Sequence, residues 1–106
     1  MDLPPRDALQ ARIEHLDLAV VRRRLMNEHG WDSAAATAAE DQYRRFLVSA
    51  ATVDTISPNR EADAFWHEHI LHTEKYAADC ELVFGRLLHH DPLEKPDGGY
   101  CHGVWA

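Results

Sequence analysis

The sequence predicts an all-α fold, a small bundle of about four helices followed by an irregular tail. Three observations predict it. Apolar residues recur at three- and four-residue spacing across most of the first 90 positions. Only Gly30 and Gly85 interrupt the chain before the tail, and no alternating strand-like pattern persists. A length of 106 residues bounds the chain to one domain with a single modest core. The expected organisation is a helical domain over 1–90 and a tail over 91–106.

Each segment carries its own signals. Pro4 and Pro5 precede a helical pattern expected from Arg6 to His29, with Gly30 as its stop. Leu9, Ile13, Leu16 and Val20 form one stripe; Leu18, Val21 and Leu25 form an adjacent one. A break near Leu16 to Leu18 is compatible with this shift of stripe. "WDSAAATAAEDQYRRFLVSA" predicts the second helix, capped by Asp32 or Ser33. Its inner face is Ala36, Ala39, Tyr43, Phe46 and Ala50, and the alanines favour close helix–helix approach. Ser57 followed by Pro58 fits an N-cap with proline at the first helical position. Helical pattern then runs to Phe84, ahead of Gly85, with Trp66, Ile70, Thr73, Ala77, Cys80 and Phe84 as its core stripe. Thr73 is a weak point, and a break there turns three segments into four. The final sixteen residues, "DPLEKPDGGYCHGVWA", are rich in proline and glycine, with Tyr100 and Trp105 able to dock on the body or on a partner.

Composition removes several function classes. A formal charge of -7 opposes binding to phosphate backbones, so nucleic acid is not an expected partner. The Arg22-Arg23-Arg24 run reads as a solvated helix face. No apolar run reaches the ~18 residues of a membrane span. The acidic, proline-rich N-terminus lacks a signal-peptide pattern, so a cytoplasmic location is the default expectation. Cys80 and Cys101 form no CxxC, and a disulfide between them is not expected in that compartment. Cys80 lies on the core stripe, where a thiol is inert.

Chemistry concentrates in "DAFWHEHILHTEKYAADCELVFG", Asp63 to Gly85, and in the following "LLHHDP". On a straight helix His67 and His69 point ~200° apart, so "HEH" is not itself a chelate. "HEHILH" departs from HExxH because His72 comes one position late. Asp63 with His67, and Glu68 with His72, are i,i+4 pairs that share a face. His69, His72, Tyr76 and Asp79 border the apolar stripe. Two readings of these residues follow. In one, the histidines are structural: His67 bonds Asp63, and His69 is buried against Tyr43 or Tyr76. In the other, Asp63, His67, His69 and His90 converge as ligands of a divalent transition metal such as zinc, iron or copper. The second needs a break near His72 or a histidine returned from "LLHHDP".

The pattern W-H-x-H-x6-Y-x-x-D, carried by Asp63, Trp66, His67, His69, Tyr76, Asp79, Gly85 and His90, resembles the glycine-rich domain-containing protein-like family. This chain would be a short, bacterial-type member without the glycine-rich domain. The resemblance implies a small α-helical domain and draws attention to Asp63, His67, His69 and His90. It implies no reaction.

Three functional expectations result. The first is a non-enzymatic helical binding or scaffold domain. Its polar cluster, Asp63, Trp66, His67, His69, Tyr76 and Asp79, would receive a protein or peptide partner or another ligand. The second is a metal-binding protein or small metal-dependent enzyme built on the histidines. The third treats the tail as a precursor peptide: Gly98-Gly99 would be a cleavage site and "YCHGVWA" a modified product.

Overall fold

The structure, a computed structural model, describes residues 5–52, 58–93 and 100–105, with side chains as far as His89. The described residues are mostly helical and form five helices where about four were expected: α1 (Arg6–Glu14), α2 (Ala19–His29), α3 (Ser33–Ala50), α4 (Arg60–Leu71) and α5 (Thr73–Phe84). The extra helix arises because both long segments are broken. The first breaks at residues 15–18, where the stripe shifts; the second breaks at His72, beside Thr73.

Local chemistry accounts for the ends. Asp32 accepts a hydrogen bond from the Ala35 amide at 2.7 Å and caps α3. Asn59 does the same for α4 through the Ala62 amide at 2.8 Å. Asn59 therefore takes the role expected of Ser57, which lies outside the described residues. Pro58 sits ahead of the helix rather than at its first position. α2 and α5 both end on a left-handed glycine, Gly30 at φ 72° and Gly85 at φ 73°. A side chain there would be strained, so glycine is the natural stop.

The broken first segment is held by one arginine. Arg44 donates to the carbonyls of Ile13 and Leu16, the latter at 3.0 Å, and pairs with Glu40 at 3.0 Å. These carbonyls lie at the end of α1 and in the break after it, where helical bonding lapses; the Ile13 carbonyl also accepts from the Leu16 amide at 3.2 Å. Glu40 also holds Arg22, the first residue of the arginine run. Arg23 and Arg24 are exposed, as a solvated face requires.

α3 and α4 are the principal packed pair. The expected inner face of α3 is buried in full, and Leu9, Ile13, Leu18, Val21 and Leu25 complete the core from α1, α2 and their junction. Three members of the expected stripes are misplaced. Val20 is exposed, because the α1–α2 break rotates α2 relative to the continued pattern. Thr73 and Ala77 are exposed too, because α5 takes a new direction after His72. No helix among the described residues is long and apolar enough to cross a membrane.

The tail is not wholly irregular. β1 (Leu88–Leu93) and β2 (Tyr100–Trp105) pair antiparallel, with Leu88 opposite Trp105 and Leu93 opposite Tyr100. Pro92 is tolerated inside β1 because both strands of a two-stranded sheet are edges. Gly98 and Gly99, and with them the proposed cleavage point, lie outside the described residues, as do the side chains of Tyr100, Cys101, His102 and Trp105.

Candidate functional site: a sealed polar network beside an apolar groove

The break at His72 decides where the chemistry goes. α4 and α5 fold back on each other, and His69, Tyr76 and Asp79 meet inside the angle against Tyr43 of α3. His69 is 1% exposed and Tyr43 fully buried. The Tyr43 hydroxyl lies 2.7 Å from His69 Nδ1, and His69 Nε2 lies 2.8 Å from Asp79 Oδ2. The Asp79 carboxylate can only accept, so Nε2–H donates to it, and Nδ1 accepts from the Tyr43 hydroxyl. Lys75, one turn before Asp79, pairs with the same carboxylate oxygen at 3.0 Å. The result is a directional chain from Tyr43 through His69 to Asp79, closed by an ammonium at the protein surface.

A second chain crosses beside it. Trp66 Nε1–H donates to the Tyr76 hydroxyl at 2.9 Å, and that hydroxyl donates to the Leu88 carbonyl at the start of β1. The ring of His69 stands edge-on to both tyrosines, with centroids 5.7 Å from Tyr43 and 4.9 Å from Tyr76. Polar groups so deeply placed are costly unless bonded. Here each bonding atom of His69 and Tyr76 has a partner, so the cluster can stay dry.

Burial sets the protonation states. Desolvation lowers the His69 pKa from its ordinary 6.5 to about 4, overcoming the opposing pull of Asp79. Burial raises the Tyr43, Tyr76 and Cys80 pKa values above their ordinary ranges. The network is therefore neutral at His69 and both tyrosines at pH 7, and Cys80 is a buried thiol rather than a nucleophile.

A pH dependence follows. The unfolded chain binds a proton at His69 below pH 6.5; the folded chain resists it until about pH 4. Stability contributed by neutral His69 is complete above pH 6.5 and is lost as pH falls toward 4. The loss should reach roughly 3 kcal/mol. The check is the urea-unfolding free energy at pH 7.5 and 4.5 for the wild type and for His69→Gln. The variant should lack that part of the acid slope, and equal slopes would contradict it.

The expected site residues divide into two groups. Trp66, His69, Tyr76 and Asp79 do come together, but as an interior network. His67 is exposed and Asp63 half-buried, one turn apart on α4 and on a different side from His69. The convergence of His67 with His69 that a shared metal site required does not occur, because α4 is straight between them. Both ring nitrogens of His69 are already engaged, and the His90 side chain lies outside the described residues. Among the described residues no group of three or more His, Cys, Asp or Glu side chains could hold a metal ion.

Glu68 is 4% exposed. Its carboxylate lies 3.1 Å from His29 Nε2 of α2 and 3.8 Å from His72 Nε2 at the helix break. The Glu68–His72 pair follows from spacing; His29, 39 residues away, carries no sequence signal for it. Lys75 was missed as well, although its i,i+4 spacing to Asp79 was visible.

Beside the network lies a groove of about 320 Å³, lined by Ile70, Thr73, Tyr76, Ala77, Leu87 and Leu88, with His89 at its rim. It occupies the angle between the α4–α5 break and the start of β1. Tyr76 belongs to both features: its hydroxyl is inside the network and its side chain helps form the groove wall.

No curated protein and no solved structure matches the chain. A family model described as UCP032817-like matches residues 11–96, spanning all five helices from within α1 onward. That match overturns the resemblance to the glycine-rich domain-containing protein-like family, which rested on the segment from Asp63 to His90, about a third of the chain. The helical body with its buried Tyr43–His69–Asp79 chain is thus the body of a family member, and the chain belongs to the UCP032817-like family.

Proposed function

We propose that this protein is a small helical binding domain whose partner is a protein or peptide segment presenting a bulky apolar side chain within a basic stretch. The observation that carries this reading is the groove between the α4–α5 break and β1. Its volume of about 320 Å³ is the size of a compact ligand pocket, and its lining is mainly aliphatic and aromatic. The buried network supports the reading from behind. It bonds α3, α4, α5 and the β1 backbone together, so the groove wall at Tyr76 is preorganised rather than formed on binding. The polar cluster frames the contact and does not itself receive the ligand. The formal charge of -7 favours a basic partner through long-range attraction.

The test is a methyl NMR titration with two peptide sets, basic and acidic, each carrying a central Leu or Phe. Basic peptides should shift the methyl signals of Ile70, Ala77 and Leu87 saturably, more than acidic ones do. Ala77→Trp places an indole in the groove from an exposed position of α5. It should weaken binding by at least ~10-fold while costing under ~1 kcal/mol of stability. Absence of groove shifts with every peptide, or unchanged binding by Ala77→Trp, would overturn the reading.

A further inference from the structure

Titratable groups from α2, from α4 and from the α4–α5 break meet at one point that the Tyr43–His69–Asp79 network does not use. Glu68 of α4 is 4% exposed, and an acid so deeply placed needs partners. His29, the last residue of α2, supplies one, with Nε2 3.1 Å from Oε1. The carboxylate only accepts, so this Nε2 carries a proton and donates it. His72 stands at the other oxygen, with Nε2 3.8 Å from Oε2. That is too long for a hydrogen bond. His72 Nε2 is itself buried and has no hydrogen-bond partner. An imidazole protonated only on Nδ1 presents a lone pair at Nε2, and a carboxylate presents another. Two acceptors stand apart, as these do; one proton between them makes a charge-assisted bond.

The position of His72 gives that proton leverage. It is the one residue between α4 and α5, with φ -87° and ψ 72°, outside the helical region. Its N–H donates to the His69 carbonyl at 3.1 Å, and its carbonyl accepts the Tyr76 amide at 2.8 Å. Ile70 and Thr73, close on either side of it, line the groove. A pull on the His72 side chain therefore acts on the hinge and on one groove wall.

We propose that Glu68 and His72 form a proton-operated clasp, in which one proton taken up between Nε2 and Oε2 draws His72 onto the buried carboxylate and fixes the α4–α5 hinge. The charged groups of the surrounding elements have other engagements. Lys75 and Asp79 of α5 pair at 3.0 Å, and His69 is bonded between Tyr43 of α3 and Asp79. Glu40 of α3 holds Arg22 and Arg44. Glu28 of α2 faces Arg24 at 3.7 Å. Glu74, in the first turn of α5, is exposed, and so is His89 at the groove rim. Acid closes the clasp and alkali opens it. His69 has the opposite sense: its protonation breaks a network and is deferred to about pH 4. Imidazoles change charge between pH 5 and 8, so a titration from pH 8 to 5.5 reads the clasp while His69 stays neutral.

The test is NMR of the free full chain over that range, so it stands apart from what the groove binds. EDTA excludes a bridging metal. The His72 Nε2 signal should move from that of a bare nitrogen to that of a protonated one. The Ile70 and Thr73 amide shifts should follow the same curve. Protection of the Tyr76 amide should rise at least ~5-fold once intrinsic exchange is allowed for. Glu68→Gln removes the anion and keeps the shape, so the hinge shifts should lose most of their amplitude; full amplitude there would overturn the inference. His29→Gln should leave the shifts in place, and their loss would assign the proton to His29 instead. Two results on the unaltered protein would also sink the clasp. One is a His72 Nε2 that stays bare to pH 5.5; the other is a His72 that titrates while Ile70 and Thr73 stay fixed.

Discussion

Replacing His69 by alanine is expected to lower the unfolding free energy by about 3–5 kcal/mol, whereas His67→Ala should cost under ~0.5 kcal/mol. The two residues are close in sequence but differ in surroundings: His69 is 1% exposed, and His67 is on the solvent side of α4. Loss of the His69 ring opens a cavity between Tyr43 and Tyr76. It also leaves the Tyr43 hydroxyl buried without an acceptor, which alone costs ~1–3 kcal/mol. Asp79 suffers less, because Lys75 remains 3.0 Å away. Tyr43→Phe should cost about 1–2 kcal/mol, since it leaves only the His69 Nδ1 lone pair unmatched. The double variant should be less damaging than the sum of the singles by at least ~1 kcal/mol, because the second change removes a group the first had orphaned. Urea unfolding of the four proteins measures this. Additive losses would mean that Tyr43 and His69 do not share a bond in the folded state.

The same residues mark how much of the molecule was legible in the sequence. The inner face of α3 could be read directly, because one unbroken helix keeps its period from Ala36 to Ala50. Burial of His69 against Tyr43 or Tyr76 was legible too, since these residues sit on or beside apolar faces. The stops at Gly30 and Gly85 were legible because the left-handed backbone selects glycine. The geometry after His72 was not. A helical wheel carried through residues 63–84 assumes one axis, so it put Thr73 and Ala77 in the core and left Tyr76 on its border. Once α5 turns at His72, Tyr76 is buried and those two residues face outward. The Glu68–His29 contact was invisible for another reason: no local period relates α2 to α4 across 39 residues. β1 was hidden by its composition, because "LHHDPL" lacks the β-branched and aromatic residues that mark a strand.

The second large effect belongs to Trp66, where volume and hydrogen bonding can be separated. Trp66 is fully buried, and its ring centroid lies 4.7 Å from that of Phe46 at an interplanar angle of 45°. Its indole N–H donates to the Tyr76 hydroxyl at 2.9 Å. Trp66→Ala should cost about 4–5 kcal/mol, the upper part of the range for deleting a core aromatic. Trp66→Phe keeps an aromatic ring against Phe46 and loses the donor, so it should cost about 1–2 kcal/mol. The loss of that donor is mild because Tyr76 retains its own bond to the Leu88 carbonyl. Tyr76→Phe should be worse than Trp66→Phe, since it orphans two groups at once, the Trp66 N–H and the Leu88 carbonyl. It also releases β1 from α5, so the Leu88 and His89 amides should exchange faster in that variant alone. If Trp66→Phe proved as damaging as Trp66→Ala, packing against Phe46 would not be what makes Trp66 matter most. If Tyr76→Phe left exchange at Leu88 and His89 unchanged, the hydroxyl would not be what fastens the tail to the helical body.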